Sequence, residues 1–238
     1  VYLFDAVGGT ANDIAAMVAA SAVTAALTTL IMGALSDKLG KRKVFITVGY
    51  IIWGLVTASF GFITVGNTEK LFHSANAVAT ASLIIIIMDC VMTFFGSTGF
   101  DAAFNSWVTD VTDDTNRGRA ETVMQALPLL AILVVFGLLD GYKQRGEWKT
   151  FFLIVGITTT VVGVLGLFFL KDKPGIKANN ENYFKNIIYG FKPSTVKANK
   201  MLYVAFAAFC IFNIAYQVFM PYLIIYLEKT LGIENYAI

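Results

Sequence analysis

Charge is what this chain has least of. Only 14% of its 238 residues are Asp, Glu, Lys or Arg, against 57% hydrophobic, and the mean hydropathy is +0.68. A soluble domain of ordinary make-up carries roughly a quarter charged residues, so that class is excluded. Cysteine is almost absent. Cys90 and Cys210 both fall inside hydrophobic runs, so they read as small apolar side chains and give no disulfide framework. The single histidine, His73, lies between two such runs and reads as a solvated loop residue rather than a ligand. No metal-ligand cluster, phosphate-cradling loop, catalytic motif or nucleic-acid-binding surface is legible, so no enzyme, metal site or nucleic-acid partner is expected. Val1 is not an initiator methionine and no signal peptide precedes it, which points to a fragment.

What the chain does have is length without charge. The runs Ile14–Leu35, Val44–Val65, Thr150–Leu170 and Met201–Leu227 contain no charged residue; Ala75–Val108 carries Asp89 and Asp101, and Ala120–Leu139 only Glu121. A bilayer core of about 30 Å takes about 20 apolar residues per helix, so each run is long enough to cross. Backbone groups in lipid must be satisfied internally, and runs this long are helices, not barrel strands. The expected fold is therefore an all-α, multi-pass membrane bundle with six transmembrane helices. Basic residues set its orientation. Lys38, Lys41, Arg42 and Lys43, then Arg117 and Arg119, then the lysines of 171–200 crowd one side. Lys70, Lys143, Arg145, Lys149 and Lys229 lie on the other. The denser side is expected to be cytoplasmic, which places 36–43, 109–119 and 171–200 inside a cell membrane and both ends of the chain outside.

One turn organises the rest. Gly33-Ala-Leu-Ser-Asp37-Lys38-Leu-Gly40-Lys-Arg42-Lys43 is a charged reversal wedged between the first two runs. Gly40 suits the positive-φ position that closes a helix. Asp37, at the negative end of a helix macrodipole, requires a cation or N–H partner. The spacing Gly-x-x-x-Asp-Lys-x-Gly-x-Arg-Lys resembles the loop signature of the major facilitator superfamily of secondary transporters, where it joins the second and third transmembrane helices. The resemblance implies a partial fold covering about family helices two to seven. Residues 1–170 are then most of the N-terminal half without its first helix, 171–200 the cytoplasmic linker and 201–238 the start of the C-terminal half. It also implies a cytoplasmic gate. The loop after the third run, Asp110 to Glu121, supplies Arg117 as the candidate partner of Asp37, with Asp110 or Asp113 closing the cluster. Gly33, Asp37, Lys38, Gly40, Arg42, Lys43, Asp101 and Arg117 form the expected gate set.

Other polar residues mark candidate transport sites. In the third run Asp89, Thr93, Ser97, Asp101 and Asn105 recur every four residues and share a face that drifts by about 40° per step in an ideal α-helix. A carboxylate at the depth of Asp89 costs about 2.5–3.5 kcal/mol and is expected to face protein or a water-filled cavity. Asp89 with Thr93 and Ser97 is thus a candidate site for substrate or coupling ion, and an interhelical structural bond is the alternative. Gln125 and the kink-prone Pro128 fall in the fourth run, which lacks the Gly-x-x-x-Gly-Pro-x-x-Gly-Gly element of many drug/proton antiporters in the family. In the sixth run Asn213, Tyr216 and Gln217 offer neutral hydrogen-bonding groups suited to a polyol or sugar, or to interhelical contact.

The remaining runs read as packing. Ala15, Ala19, Ala22, Ala26, Thr29 and Gly33 place one small residue per turn on one stripe of the first span, expected to meet a neighbouring helix. The fifth span, with Gly156, Thr158, Thr159, Thr160, Gly163 and Gly166, also reads as packing. Asn67–Ser74 is expected to be a short outer loop. Tyr183, Phe184, Ile187, Ile188 and Phe191 describe an amphipathic helix lying on the inner membrane face. The expected function is secondary active transport of a small polar solute by alternating access, a sugar or related compound moving with a proton or sodium ion. Drug or metabolite efflux on the same fold, and a non-transporting sensor or scaffold, are the alternatives. The expected partners are the lipid bilayer and the solute, with no cofactor beyond the coupling ion and a monomer when full length.

Overall fold

The computed structural model describes residues 2–73, 76–172 and 192–232, and every regular element among them is helical. Contacts divide the chain into two units. The first contains α1 (Tyr2–Asp5), α2 (Ala11–Leu39), α3 (Arg42–Phe60), α4 (Val65–Phe72) and α5 (Ala77–Ser97). A π-helical stretch, Thr98–Phe104, continues α5 without a break into α6 (Asn105–Val111), and α7 (Arg117–Gln144) and α8 (Trp148–Phe169) follow. The second contains α9 (Pro193–Ala198), α10 (Lys200–Ile225) and a π-helical turn, Tyr226–Thr230. Six segments are long and apolar enough to cross a membrane: α2, α3, the composite Ala77–Val111, α7, α8 and Lys200–Met220. They coincide with the six runs read from the sequence. The amphipathic segment 183–191 and the chain beyond residue 232 lie outside the described residues.

Local chemistry sets the helix ends. The α2 start is a capping box, in which the Thr10 backbone N–H and hydroxyl both donate to Asp13 Oδ2 (2.7 and 2.8 Å) and the Asp13 N–H donates to Thr10 Oγ1 (3.3 Å). Its end is Gly40 at φ 61°, whose N–H donates to the Ser36 carbonyl at 2.9 Å. Lys41 then starts α3 with no side-chain cap of its own. Past α3, the expected loop 67–74 is instead the two-turn helix α4. Thr64 caps it by accepting from the Asn67 N–H at 3.2 Å, and His73 closes it at φ 47°.

The first unit is built on the α3–α8 pair, the most extensive contact between elements. Glycines let the two backbones meet. A Cβ on Gly54 would lie 2.5 Å from Gly156 O and Thr160 N, and one on Gly156 would lie 2.5 Å from Ala58 N and Gly54 O. Further along, a Cβ on Gly163 would lie 2.8 Å from Ile51 N. The opposite flank of α3 receives the π stretch in the same manner, since a Cβ on Gly49 would meet Gly99 Cα at 2.8 Å. At the far end Tyr2 seals the pair. Its hydroxyl donates to Ile63 O at 2.5 Å, and its ring meets Trp148 and Phe152 at centroid distances of 5.2 and 5.0 Å.

Two packing expectations need correction. On α2 the small stripe Ala15, Ala19, Ala22 and Ala26 is exposed, with Thr29 and Gly33 only half-buried. The packed face is the neighbouring stripe Ile14, Val18, Ser21, Ala25, Thr28, Met32 and Ser36, which lies against α5 and the π stretch. The polar stripe of the third span also does not drift steadily. The π stretch takes more residues per turn than an α-helix, so the rotation between Ser97 and Asp101 departs from the α-helical value. Ser97 is buried and Asp101 exposed. By contrast α7 runs unbroken through Pro128, and Asp140 is its one fully buried residue.

Gly54→Leu or Gly156→Leu is expected to destabilise the fold by about 1–3 kcal/mol or more through overpacking. Gly66→Ala on α4, where a Cβ meets nothing within 4 Å, is expected to leave thermal unfolding in detergent unchanged or slightly raised. Equal melting temperatures for all three variants would rule out the glycine contact as the main helix–helix bond.

Candidate functional site

At the end of the bundle where α2 turns into α3, one guanidinium gathers three elements. Arg42 is buried, with its side chain 8% exposed. Its Nη1 pairs with Asp37 Oδ1 and donates to Ser36 Oγ at 2.6 Å, while its Nε donates to Asp110 Oδ2 at 3.2 Å. Ser36 is fully buried; its hydroxyl donates in turn to the Gly33 carbonyl at 2.9 Å. The turn chemistry makes this possible. Gly40 reverses the chain within two residues, so the last turn of α2 and the first residue of α3 face one another, and Asp110 arrives from α6. A planar fork of donors suits two carboxylates and a hydroxyl better than a point charge does. Asp37 therefore has the partner its helix-end position demands, but that partner is Arg42 rather than Arg117.

Arg117 is used elsewhere. Its Nη2 donates to Thr109 O at 3.3 Å and its Nε to Thr112 Oγ1 at 3.4 Å, bracing the turn between α6 and α7. Asp113 belongs to that turn and not to the Arg42 cluster. The Thr115 hydroxyl (2.5 Å), then the Thr115 and Asn116 backbone N–H groups, hold its carboxyl below the usual carboxylate range. The turn thus keeps this contribution above the ordinary carboxylate range and loses it as acid protonates Asp113. Lys38 and Asp101 are exposed, and neither makes an ion pair among the described residues. Lys43 enters through its backbone. Its N–H donates to Asp172 Oδ1 at 2.8 Å, so a residue 129 positions away caps the α3 start that Lys41 leaves open. Beside it the Trp107 indole N–H donates to Lys171 O at 2.9 Å.

The second polar centre lies deeper. Asp89, half-buried on α5, accepts a hydrogen bond from the Ser21 hydroxyl of α2 through its Oδ2. Ser21 lies on the packed α2 stripe with Thr28 and Ser36, and this bond joins that stripe to α5. Thr93 is half-buried one turn further on, and Ser97 is buried. A carboxyl with a hydroxyl partner can hold a proton, or can join other oxygens around a small cation. Gln125 is exposed on α7. In the second unit the Asn213 side-chain amide donates to its own helix at Phe209 O (2.8 Å), while Tyr216 and Gln217 are exposed. Among the described residues no group of three or more His, Cys, Asp or Glu could hold a metal.

Sequence reasoning missed Ser21, Ser36 and Asp172. Ser21 and Ser36 were legible only as polar positions on the Ile14–Ser36 stripe, which the alanine pattern obscured. Asp172 had no local signal, because its role is defined by a partner far away in the chain.

The comparisons bear on what kind of protein carries these centres. A family model described as Major Facilitator Superfamily matches residues 1–238. No curated protein and no solved structure matches.

Arg42→Ala takes the ion-pair partner from Asp37 and removes the Arg42 bonds to Ser36 and Asp110. The expected cost is about 2–3 kcal/mol, below that of a fully buried pair because the Asp37 side chain is 35% exposed. Arg42→Lys is expected to recover less than half of that, since one ammonium cannot fork between both carboxylates. Unfolding in detergent compared across the two variants reads this out, and full recovery by lysine would show that charge alone matters.

Proposed function

On the premise that the chain belongs to the Major Facilitator Superfamily, whose members are secondary transporters, we propose that it serves the uptake of a small polar solute, a sugar or related compound, coupled to a proton or sodium ion. The observation that carries this reading is the Ser21–Asp89 bond: an acid well inside a membrane-spanning helix, held by a hydroxyl from the neighbouring helix. Acids within membrane spans are costly, and they mark ion and substrate paths more often than they stabilise a fold. Asp89 is the coupling carboxyl, with Thr93 and Ser97 on the same stretch of helix. The candidate solute-binding groups are neutral donors and acceptors: Gln125 in the first unit and, separately, Asn213, Tyr216 and Gln217 in the second.

Alternating access is the mechanism, by rocking of two helical halves about a central site. The Arg42 cluster, with Gly33, Gly40 and Lys43 shaping its turn, belongs to the cytoplasmic gate. It ties α2, α3 and α6 together when that side is closed. Its basic surroundings support a cytosolic position under the positive-inside rule, with both ends of the chain on the outer side.

In proteoliposomes of the full-length protein, Asp89→Asn is expected to keep counterflow of a labelled sugar and to lose ion-driven accumulation. Unchanged accumulation removes Asp89 from coupling. Absence of counterflow for every sugar, together with protection of cells from lipophilic cations, would replace uptake by efflux. Absence of all counterflow would leave a sensor or scaffold.

A further inference from the structure

Transport makes no use of one surface of the first unit. Between α3, the π stretch and α8 lies an apolar groove of about 290 Å³, lined by Thr47, Tyr50, Phe104, Gly163, Gly166 and Leu170. Gly163 and Gly166 bring the last turns of α8 against α3, where a Cβ on Gly163 would lie 2.8 Å from Ile51 N, and both line the groove beside that contact. The Thr47 hydroxyl is spent within its own helix, donating to Lys43 O at 2.9 Å, so the walls present mostly hydrocarbon. The surrounding surface is apolar and open: Val162, Val48 and Leu165 are about half exposed, and Phe169 is 78% exposed. In a membrane-spanning pair this surface meets acyl chains.

Two lysines neighbour the lining residues along the chain at one end of the groove. Lys43 lies one helical turn before Thr47 on the same face of α3, and Lys171 follows Leu170 at the end of α8. Neither ammonium makes an ion pair among the described residues. The acid beside them, Asp172, has one oxygen engaged by the Lys43 N–H, and Arg42 is taken up by Asp37 and Asp110. The Trp107 indole, fixed by Lys171 O, adds an aromatic of the kind that sits at headgroup level.

We propose that this groove is a binding site for an anionic phospholipid of the leaflet at the lysine-bearing end. One acyl chain lies along Gly163 and Gly166, and the phosphate reaches Lys43 and Lys171. A zwitterionic lipid fills the hydrocarbon part equally well but has no net charge to offer the lysines. At ~1 kcal/mol per basic residue near an anionic headgroup, each lysine contributes about fivefold in affinity and the pair about thirtyfold.

The test is competition between phosphatidylglycerol and phosphatidylcholine of identical chains for the purified full-length protein, with retained lipid counted by native mass spectrometry. Wild type is expected to retain phosphatidylglycerol selectively. Lys43→Gln with Lys171→Gln is expected to reduce that preference about thirtyfold, and Lys70→Gln on α4 to leave it intact. Val162→Trp, a substitution at an exposed groove edge, is expected to displace the retained lipid of either kind without lowering the melting temperature. Equal retention of the two lipids by wild type means a non-selective lipid shell and overturns the proposal. So does a preference unmoved by the double lysine variant or by Val162→Trp, and so does a lipid-independent dimer that Val162→Trp disrupts, which would assign the groove to a second copy.

Discussion

The first unit depends on the backbone contact between α3 and α8. Inside a bilayer there is no hydrophobic gain from bringing two apolar helices together, because lipid tails are as apolar as leucine. What remains is dispersion, and it requires close approach. Gly54 and Gly156 supply it, with each occupying the space that the other's missing side chain leaves. Gly49 against Gly99 repeats the device on the other flank, so α3 has a backbone-close neighbour on two sides. Gly163 and Gly166 continue this close approach of α8 to α3, and both line the apolar groove beside it.

With α3 fixed along its length, its first residue is fixed too, and that residue is Arg42. The fork of this one side chain ties the end of α2 and the end of α6 to the start of α3. Asp172 adds the end of α8 by capping the same helix. The cluster satisfies nearly every polar group it gathers. It is confined to one end of the helices, where water can reach Asp37 but hardly Arg42. A set of charge-assisted bonds at a helix end can be broken by a modest displacement of one element, whereas the glycine contact cannot be loosened without separating the helices. The proposed gate and the scaffold are thus built from different interactions.

The Ser21–Asp89 bond crosses from α2 to α5 on the packed face of α2, and the alanine stripe is exposed. The alanine pattern alone favoured the other face, because small residues every three or four positions are the usual mark of close helix packing. The packed face is instead the one that carries Ser21, Thr28 and Ser36.

The six spans, their helical nature, the Gly40 reversal and the positions of Asp37 and Asp89 were all settled by the sequence alone, since each follows from local facts: run length, backbone satisfaction in lipid, φ at glycine. The fifth-span glycines were legible as packing residues, though their partners were not. Pairing belongs to tertiary structure. That Asp37 meets Arg42 and not Arg117, that α2 turns Ser21 inward, that Asp172 caps α3, and that a π stretch re-aims Asp101 each depends on residues far apart in the chain or on a register no local pattern encodes. A sequence states which groups need partners; only the folded chain decides which of several chemically adequate partners comes within 3 Å.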